Sequence, residues 1–317
     1  MKKYDKSLLI QIITIIICIV FTALILITPS FFDFSWNQLL RDTLPGTEYF
    51  FRFITEFGGT LVYLAIFFII FWGINKNIAK GLLFIYVSSN FVNFYAKALI
   101  ANERPPESNW ILISASHLST PSGHAMSSTV FWGYTAMKFK NYAMWFLSAV
   151  VVFLVGMSRI YLGVHWLGDV FTGWLFGLII LLLVWILEEP IRNFVSKQNI
   201  FLIYLGLALV GLIMMILTEI LYDSIYDFGT PGGQMIGLAL GFALEEKFVN
   251  FEIQDDIGKK WKLILRILIG ILLIAVVYLG IYLIIDTNIF WMNALHYGIT
   301  LILGIFIWPL LFKKIGI

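Results

Sequence analysis

Three short polar segments carry the residues of this chain that can do chemistry. In chain order they are Lys97 with Arg104-Pro105, Pro121-Ser122-Gly123-His124, and Ser158-Arg159 with His165 and Asp169. They supply three cations, two imidazoles and one carboxylate. Cations hold phosphate oxygens, and imidazoles attack phosphorus or move protons. The segments therefore predict a site that binds a phosphate and breaks its ester bond.

His165 and Asp169 are four residues apart at the start of a predicted helix, so their side chains share one face. The carboxylate can accept a hydrogen bond from one ring nitrogen. That bond fixes the tautomer and leaves the other nitrogen free to attack. An aspartate facing lipid would be costly, which places Asp169 in a pocket.

His124 begins another predicted helix directly after Ser122-Gly123. Backbone amides and a hydroxyl at that position can bind anionic oxygens, and Gly123 allows close approach of the backbone to a ligand. His124 can then protonate a departing alkoxide as a general acid. Ser122 alone also fits a simple N-cap, and it can be both cap and ligand.

The composition places these segments in a membrane protein, because 60% of the 317 residues are hydrophobic and 13% are charged. Ten apolar runs are near the ~17–25 residues that cross a bilayer. The runs are 8–28, 59–75, 78–101, 124–138, 142–162, 166–187, 199–217, 231–245, 263–285 and 293–312. The first is interpreted as an uncleaved span, and the aromatic stretch 29–58 as an interfacial amphipathic segment.

Charge and cysteine content exclude several classes of partner. The net charge of +2 is small and its lysines and arginines are scattered, so we expect no nucleic acid partner. The single cysteine, Cys18, excludes a disulfide framework and a cysteine-based zinc site. The sequence also lacks a clustered metal-ligand set, a serine nucleophile elbow and a nucleotide-binding Gly-rich loop. We therefore expect no metal and no cofactor.

Basic residues predict the orientation of the spans, since translocated loops are poor in lysine and arginine. With a cytoplasmic amino terminus, five of the 21 basic residues fall outside, and they are Arg41, Arg52, Lys97, Arg104 and Arg159. The acidic loop 218–234, with Glu219, Asp223 and Asp227, also falls outside. Any one of the cations can snorkel to lipid head groups, but three on this face favour a shared extracytoplasmic site. Both termini are predicted to be cytoplasmic, in a multi-pass protein of the cell membrane.

The three segments, in this order and spacing, resemble the signature of the type 2 phosphatidic acid phosphatase superfamily, which comprises integral membrane lipid phosphatases. Residues 97–169 carry every element of that signature. The resemblance implies that His165 attacks phosphorus to form a phosphohistidine, Asp169 orients it, and His124 protonates the leaving oxygen. It also implies that the phosphate is held without metal or cofactor by Lys97, Arg104, Ser122, Gly123 and Arg159.

The predicted fold is an all-α polytopic membrane bundle. Its parts are a six-helix phosphatase core over 1–188 and about four further membrane segments over 189–317. The second part resembles the carboxy-terminal extension of sphingoid-base phosphate phosphatases in length and around His296-Tyr297-Gly298. Gly233, Gly237 and Gly241 predict close helix packing, either as scaffold or between copies in a homo-oligomer. Alternatively, these helices wall the pocket, with His296 as a lining residue.

The expected activity is hydrolysis of a lipid phosphate monoester or diphosphate at the outer membrane surface. Two alternatives stay open, namely a phosphotransferase that uses the same intermediate and a transporter that only recognises the head group. The motifs do not rank polyprenyl phosphates, phosphatidic acid, phosphatidylglycerol phosphate or sphingoid-base phosphates as the substrate.

Overall fold

The structure is a computed structural model that describes residues 3–112, 118–221, 229–253, 260–287 and 289–317. Within these ranges the regular structure is helical, and extended segments pair at one isolated bridge between Glu103 and Leu118. The predicted all-α class is confirmed. The helices are α1 (Lys3–Leu26), α2 (Ser35–Thr43), α3 (Glu48–Thr55), α4 (Thr60–Gly73), α5 (Lys76–Ile100), α6 (Gly123–Phe139), α7 (Tyr142–Tyr161), α8 (Leu167–Val195), α9 (Ile200–Leu221), α10 (Gly229–Leu244), α11 (Lys260–Ile284), α12 (Phe290–Ile302) and α13 (Trp308–Ile315).

Every predicted apolar run falls on a helix, but the helices differ in length. Among the described residues, seven helices are long and apolar enough to cross a membrane, with the stretch Phe290–Ile315, which contains α12 and α13, counted as one. An eighth span is present if the bent pair Glu48–Gly58 and Thr60–Gly73 counts as one. Helices α6 and α10 have 17 and 16 residues, near the lower end of the length that crosses a bilayer. The chain is a multi-span membrane protein, with seven or eight candidate spans among the described residues beside the ten predicted apolar runs.

One compact unit comprises Met1–Tyr63 and Ser89–Asn193 and contains all three polar segments. In it α7 packs against α6, α3 and α2. The short helices α2 and α3 lie in the predicted amphipathic stretch, with Trp36 and Phe53 exposed while Asn37, Phe51 and Thr55 are buried. This stretch therefore contributes polar side chains, Asn37 and Thr55, to the protein interior as well as aromatic side chains to the surface.

The second compact unit comprises Leu64–Ser88 and Phe194–Ile317. Its centre is α10, which packs against α9 and α12. A Cβ atom added to Gly233 would lie 2.0 Å from the carbonyl oxygen of Ala294, so glycine is required for this contact. Gly237 and Gly241 also face this segment of the same chain. The glycine stripe therefore packs helices within one chain, while a homo-oligomer stays a prediction.

Two buried polar contacts lie in the second unit. His296 is buried, and its Nε2 lies 2.9 Å from the carbonyl oxygen of Tyr278. Lys76 forms an ion pair with the buried Glu245 at 2.7 Å. The division at residue 188 and a lining role for His296 stay predictions. Asp223 and Asp227 of the predicted outer loop lie outside the described ranges.

Candidate active site

The loop between α7 and α8 presents the third polar segment. Arg159 lies in the last turn of α7, His165 lies in the loop, and Asp169 lies in the first turn of α8. Gly163 turns the chain between them with φ of 77°, and an added Cβ would lie 2.3 Å from the carbonyl oxygen of Asn109. This position therefore needs glycine for both its backbone angle and its space.

His165 and Asp169 form the predicted pair, with Nδ1 3.0 Å from Oδ2. Their exposed fractions are 2% and 0%. On the other side of the ring, Nε2 lies 3.0 Å from Nη1 of Arg104. A guanidinium only donates hydrogen bonds, so Nε2 accepts and Nδ1 carries the proton. The contacts thus assign a neutral imidazole whose lone pair faces away from the carboxylate.

Burial is the largest influence on the pKa of His165, and it lowers that pKa well below its usual range. The charges of Arg104, Lys97 and Arg159 lower it further. This direction agrees with the tautomer assigned from the hydrogen bonds.

Asp169 accepts hydrogen bonds from three groups besides His165. Ser119 donates through Oγ to Oδ2, Thr120 donates through Oγ1 to Oδ1, and the backbone N–H of Trp166 donates to Oδ2 at 2.8 Å. The sequence does not predict roles for Ser119 and Thr120. Its one indication that they lie near the site is their position directly before Pro121-Ser122-Gly123-His124.

The three cations have different surroundings. Lys97, in the last turn of α5, donates to the carbonyl oxygens of Leu118 and Ser119 at 2.7 and 2.8 Å. Arg104 also donates to the carbonyl oxygen of Val164 at 2.5 Å. Arg159 donates to Oγ1 of Thr55 at 2.8 Å, and its Nε has no hydrogen-bond partner in the described part of the chain. The Nε–H of Arg159 is therefore a buried donor that a bound ligand can satisfy.

Ser122 is the N-cap of α6, which begins at Gly123, and its hydroxyl accepts from the amide of Ala125 at a long 3.5 Å. Its own backbone N–H donates to the carbonyl oxygen of Asp169 at 2.9 Å. That amide is therefore occupied, contrary to the expectation of unpaired amides here, because it links α6 to the start of α8. The hydroxyl of Ser122, the backbone at Gly123 and the ring of His124 are the groups that this segment can still offer.

His124 is half-buried at the start of α6. It lies within electrostatic reach of Arg159, Arg104 and Lys97, the same cations that act on His165. The structure thus brings the eight predicted residues into one compact unit. Among the described residues no group of three or more His, Cys, Asp or Glu side chains is arranged to hold a metal ion.

Helix α2 supports the site through residues that sequence reasoning missed. Asn37 is fully buried and donates through Nδ2 to the carbonyl oxygens of Ile160 and His165, at 2.7 and 3.1 Å. Arg41 donates to the carbonyl oxygens of Tyr161 and Asn109, at 2.8 and 2.7 Å. Asn37 thus holds the backbone of His165 and of the end of α7, and Arg41 links the end of α7 to the loop that follows α5.

Comparison with known families matches two separate segments of the chain. Residues 78–192 match the PAP2 superfamily, and residues 229–317 match the transmembrane extension of PAP2 superfamily phosphatases. The chain carries a PAP2 superfamily domain followed by this extension. The first of the two segments contains all eight predicted site residues. The resemblance inferred from the motifs is therefore confirmed.

Individual PAP2 proteins show the extent of the likeness. Sphingosine-1-phosphate phosphatase 1 of Rattus norvegicus is 29% identical over 276 residues, which cover 76% of this chain and 64% of that protein. Phosphatidylglycerophosphatase B of Bacillus subtilis (strain 168) is 31% identical over 125 residues, which cover 37% of this chain and 61% of that protein. The chain thus spans less than two thirds of the length of these relatives.

A solved structure also matches part of the chain, at lower identity. It is the transmembrane PAP2 type phosphatidylglycerolphosphate phosphatase from Bacillus subtilis, with a TM-score of 0.49 and 23% sequence identity. The likeness covers 56% of this chain and 97% of that chain.

Proposed function

We propose that this protein is an integral membrane lipid phosphatase that hydrolyses a phosphate monoester or diphosphate through a phosphohistidine. The observation that carries the proposal is the bonding of the His165 ring. Nδ1 donates its hydrogen bond to Asp169. The lone pair of Nε2 points to Arg104, which we propose as a phosphate-binding cation. A nucleophile, its orienting carboxylate and a charged phosphate ligand thus lie in direct contact.

In the first step, Nε2 of His165 attacks phosphorus while the bond from phosphorus to the lipid oxygen breaks. The leaving oxygen takes a proton from His124. Arg104 must release Nε2 before this attack, and a bound phosphate gives its guanidinium a stronger acceptor than the neutral ring. The product of a monoester is the lipid alcohol. With a diphosphate substrate the attack is on the terminal phosphorus, the bond to the bridging oxygen breaks, and the product is the lipid monophosphate.

In the second step, water attacks the phosphohistidine and the Nε2–P bond breaks. His124, now deprotonated, takes a proton from that water, and inorganic phosphate leaves. Asp169 stabilises the charge that the ring of His165 carries in the intermediate. The cycle is balanced with water as its only co-reactant, so it calls for neither a metal nor a cofactor.

Charge stabilisation comes from Lys97, Arg104 and Arg159, together with the hydroxyl of Ser122 and the backbone at Gly123. These groups replace the divalent ion that many phosphoryl-transfer enzymes use, because they offset the charge on the equatorial oxygens. Lys97 does so from a fixed position, since it is already bonded to the backbone of Leu118 and Ser119.

The substrate class follows from the membrane setting and from the names of the relatives. The site lies beside membrane-length helices, which suits a head group whose tail stays in the bilayer. The relatives act, by name, on sphingosine 1-phosphate and on phosphatidylglycerophosphate. We place the site on the extracytoplasmic face and both termini in the cytoplasm, because few basic residues occupy the loops on that side.

Phosphate release in detergent tests the proposal. Purified protein with a chelator is given sphingosine 1-phosphate, phosphatidylglycerol phosphate, phosphatidic acid and polyprenyl phosphates, and wild type is compared with His165→Ala. We expect metal-independent release that disappears in the variant, whose folding is checked by its melting temperature. Release that persists in His165→Ala would exclude the phosphohistidine. Transfer of phosphate to an added lipid instead of water would favour the phosphotransferase.

A further inference from the structure

We infer that Ser119 and Thr120 are positioning residues that fix the orientation of Asp169, and through it the reactive tautomer of His165. The inference rests on the proposed function, in which Nε2 of His165 is the attacking atom. It goes beyond the motif residues, because neither hydroxyl lies in the segments that predicted the site.

The Ser119 hydroxyl determines where Oδ2 of Asp169 lies. Its Oγ donates to Oδ2 and lies 3.3 Å from Nδ1 of His165. The backbone of Ser119 is held on both sides, since its N–H donates to the carbonyl oxygen of Asn102 at 2.8 Å and its carbonyl accepts from Lys97. The donor is therefore itself fixed in place.

The Thr120 hydroxyl holds the other carboxylate oxygen. Its Oγ1 donates to Oδ1 of Asp169 and accepts from Nδ2 of Asn102 at 2.9 Å. Because Asn102 supplies the hydrogen to Oγ1, the hydroxyl proton of Thr120 is directed to the carboxylate. Ser119, Thr120 and Asp169 are all fully buried, so water does not replace these bonds.

A carboxylate held at both oxygens cannot rotate about its Cβ–Cγ bond. Oδ2 then always faces Nδ1 of His165, and the ring keeps its proton on that nitrogen. Without the two hydroxyls, the carboxylate would keep the bond from the backbone N–H of Trp166 to Oδ2 but lose its donor to Oδ1, so its orientation would be less fixed and the ring would more often populate the tautomer with the proton on Nε2. That tautomer has no lone pair on Nε2 for attack. A similar loss of ligand-orienting partners in metal sites costs about 10–100-fold in activity.

The test uses Ser119→Ala, Thr120→Val, the double variant, and the conservative variants Ser119→Thr and Thr120→Ser. Ser128→Ala is the matched control, since Ser128 is buried in α6 and its hydroxyl bonds the carbonyl oxygen of Ala125 in the same helix. Phosphate release gives kcat and KM. In parallel, ¹⁵N spectra of histidine-labelled protein, assigned with His165→Ala, report the tautomer of His165 without any turnover.

We expect kcat to fall about 10–100-fold in Ser119→Ala and Thr120→Val. KM should change less than threefold, Ser128→Ala should match wild type, and the conservative variants should recover most of kcat. The ¹⁵N signals should show the Nδ1–H tautomer in wild type and a mixture in the double variant. Equal kcat in Ser119→Ala, Thr120→Val and Ser128→Ala, or an unchanged tautomer in the double variant, would overturn the inference. If wild type releases no phosphate but the tautomer still shifts, the proposed function fails while the positioning role stands.

Discussion

At the residue scale, the two nitrogens of His165 have separate tasks. Nδ1 is bound to Asp169, and Nε2 contacts Arg104, which a bound phosphate draws away in the proposed mechanism. In that mechanism the neighbouring cations have two roles, because they bind the substrate and lower the pKa of His165, which favours the uncharged ring. An uncharged ring is the form that can attack.

This account predicts the pH dependence of the free enzyme. The pKa of His165 is lowered by burial and then by Arg104, Lys97 and Arg159, so the ring loses its proton at a pH below its usual value of ~6.5. The ring therefore stays reactive as the pH falls to 6.5 and is protonated only below that. Arg104→Met removes one cation and should move this acidic limb of kcat/KM to higher pH. The substrate's own ionisation is common to both proteins, so the difference between the two profiles reports the protein's own groups, which are His165 and also His124, on which Arg104 acts as well.

Two results would contradict that prediction. One is an acidic limb at the same pH in wild type and Arg104→Met, and the other is a limb that moves to lower pH in the variant. A loss of kcat/KM at all pH values is expected as well, because Arg104 also holds phosphate, and it does not bear on the position of the limb.

The grouping of the motif residues could be predicted from the sequence, because snorkelling explains a single cation at a span end but not three on the face that normally avoids basic residues, beside a histidine four residues before an aspartate. Ser119 and Thr120 could not. Hydroxyl residues before a proline fit an ordinary turn, and their bonds to Asp169 join positions 50 and 49 residues apart. Only the folded chain shows that they meet the carboxylate.

At the element scale, α2 acts as a brace for the loop that carries His165. Asn37 donates to two carbonyl oxygens that are 123 and 128 residues away in the sequence. The apolar pattern predicted an interfacial amphipathic segment for this stretch, and it contains no periodic signal that distinguishes Asn37 from its polar neighbours. Its role depends on tertiary contact, which propensity and hydropathy do not encode.

Replacing Asn37 with leucine tests whether α2 holds the backbone of His165 in place. The change leaves two buried carbonyl oxygens without this donor, so we expect the free energy of unfolding to fall by about 1–3 kcal/mol. We also expect kcat to fall about tenfold, because small displacements of a catalytic group are costly. Gln38→Leu is the control, since Gln38 is exposed and bonds Asp42 on the same helix. Thermal unfolding and phosphate release report both effects, and equal behaviour of the two variants would show that α2 is not a brace.

At the scale of the whole molecule, hydropathy predicted the helical membrane bundle. Two of its ten apolar runs form helices near the lower end of membrane-crossing length, α6 and α10. A run of apolar residues reports burial, and burial against other helices gives the same signal as burial in lipid. The glycine stripe of α10 shows the same limit, because its spacing predicted close packing while the partner, α12 of the same chain, required the structure.

The proposed orientation predicts which loops a membrane-impermeant thiol reagent can reach. In a Cys18→Ser background, a single cysteine at the exposed Ser108 lies in the loop that follows α5, and one at the exposed Lys140 lies between α6 and α7. We expect Ser108→Cys to be labelled in intact cells, and Lys140→Cys to be labelled only after the membrane is opened. The reverse pattern would place the site on the cytoplasmic face.

The most direct measurement is to trap the covalent intermediate. Purified protein is mixed for milliseconds with a ³²P-labelled lipid phosphate in the presence of chelator, quenched, and examined for protein-bound label. The account predicts a label that acid removes and alkali does not, as for a phosphohistidine, located on the peptide that contains His165 and missing in His165→Ala. A label on another residue, or phosphate release at full rate without any trapped label or dependence on His165, would contradict it.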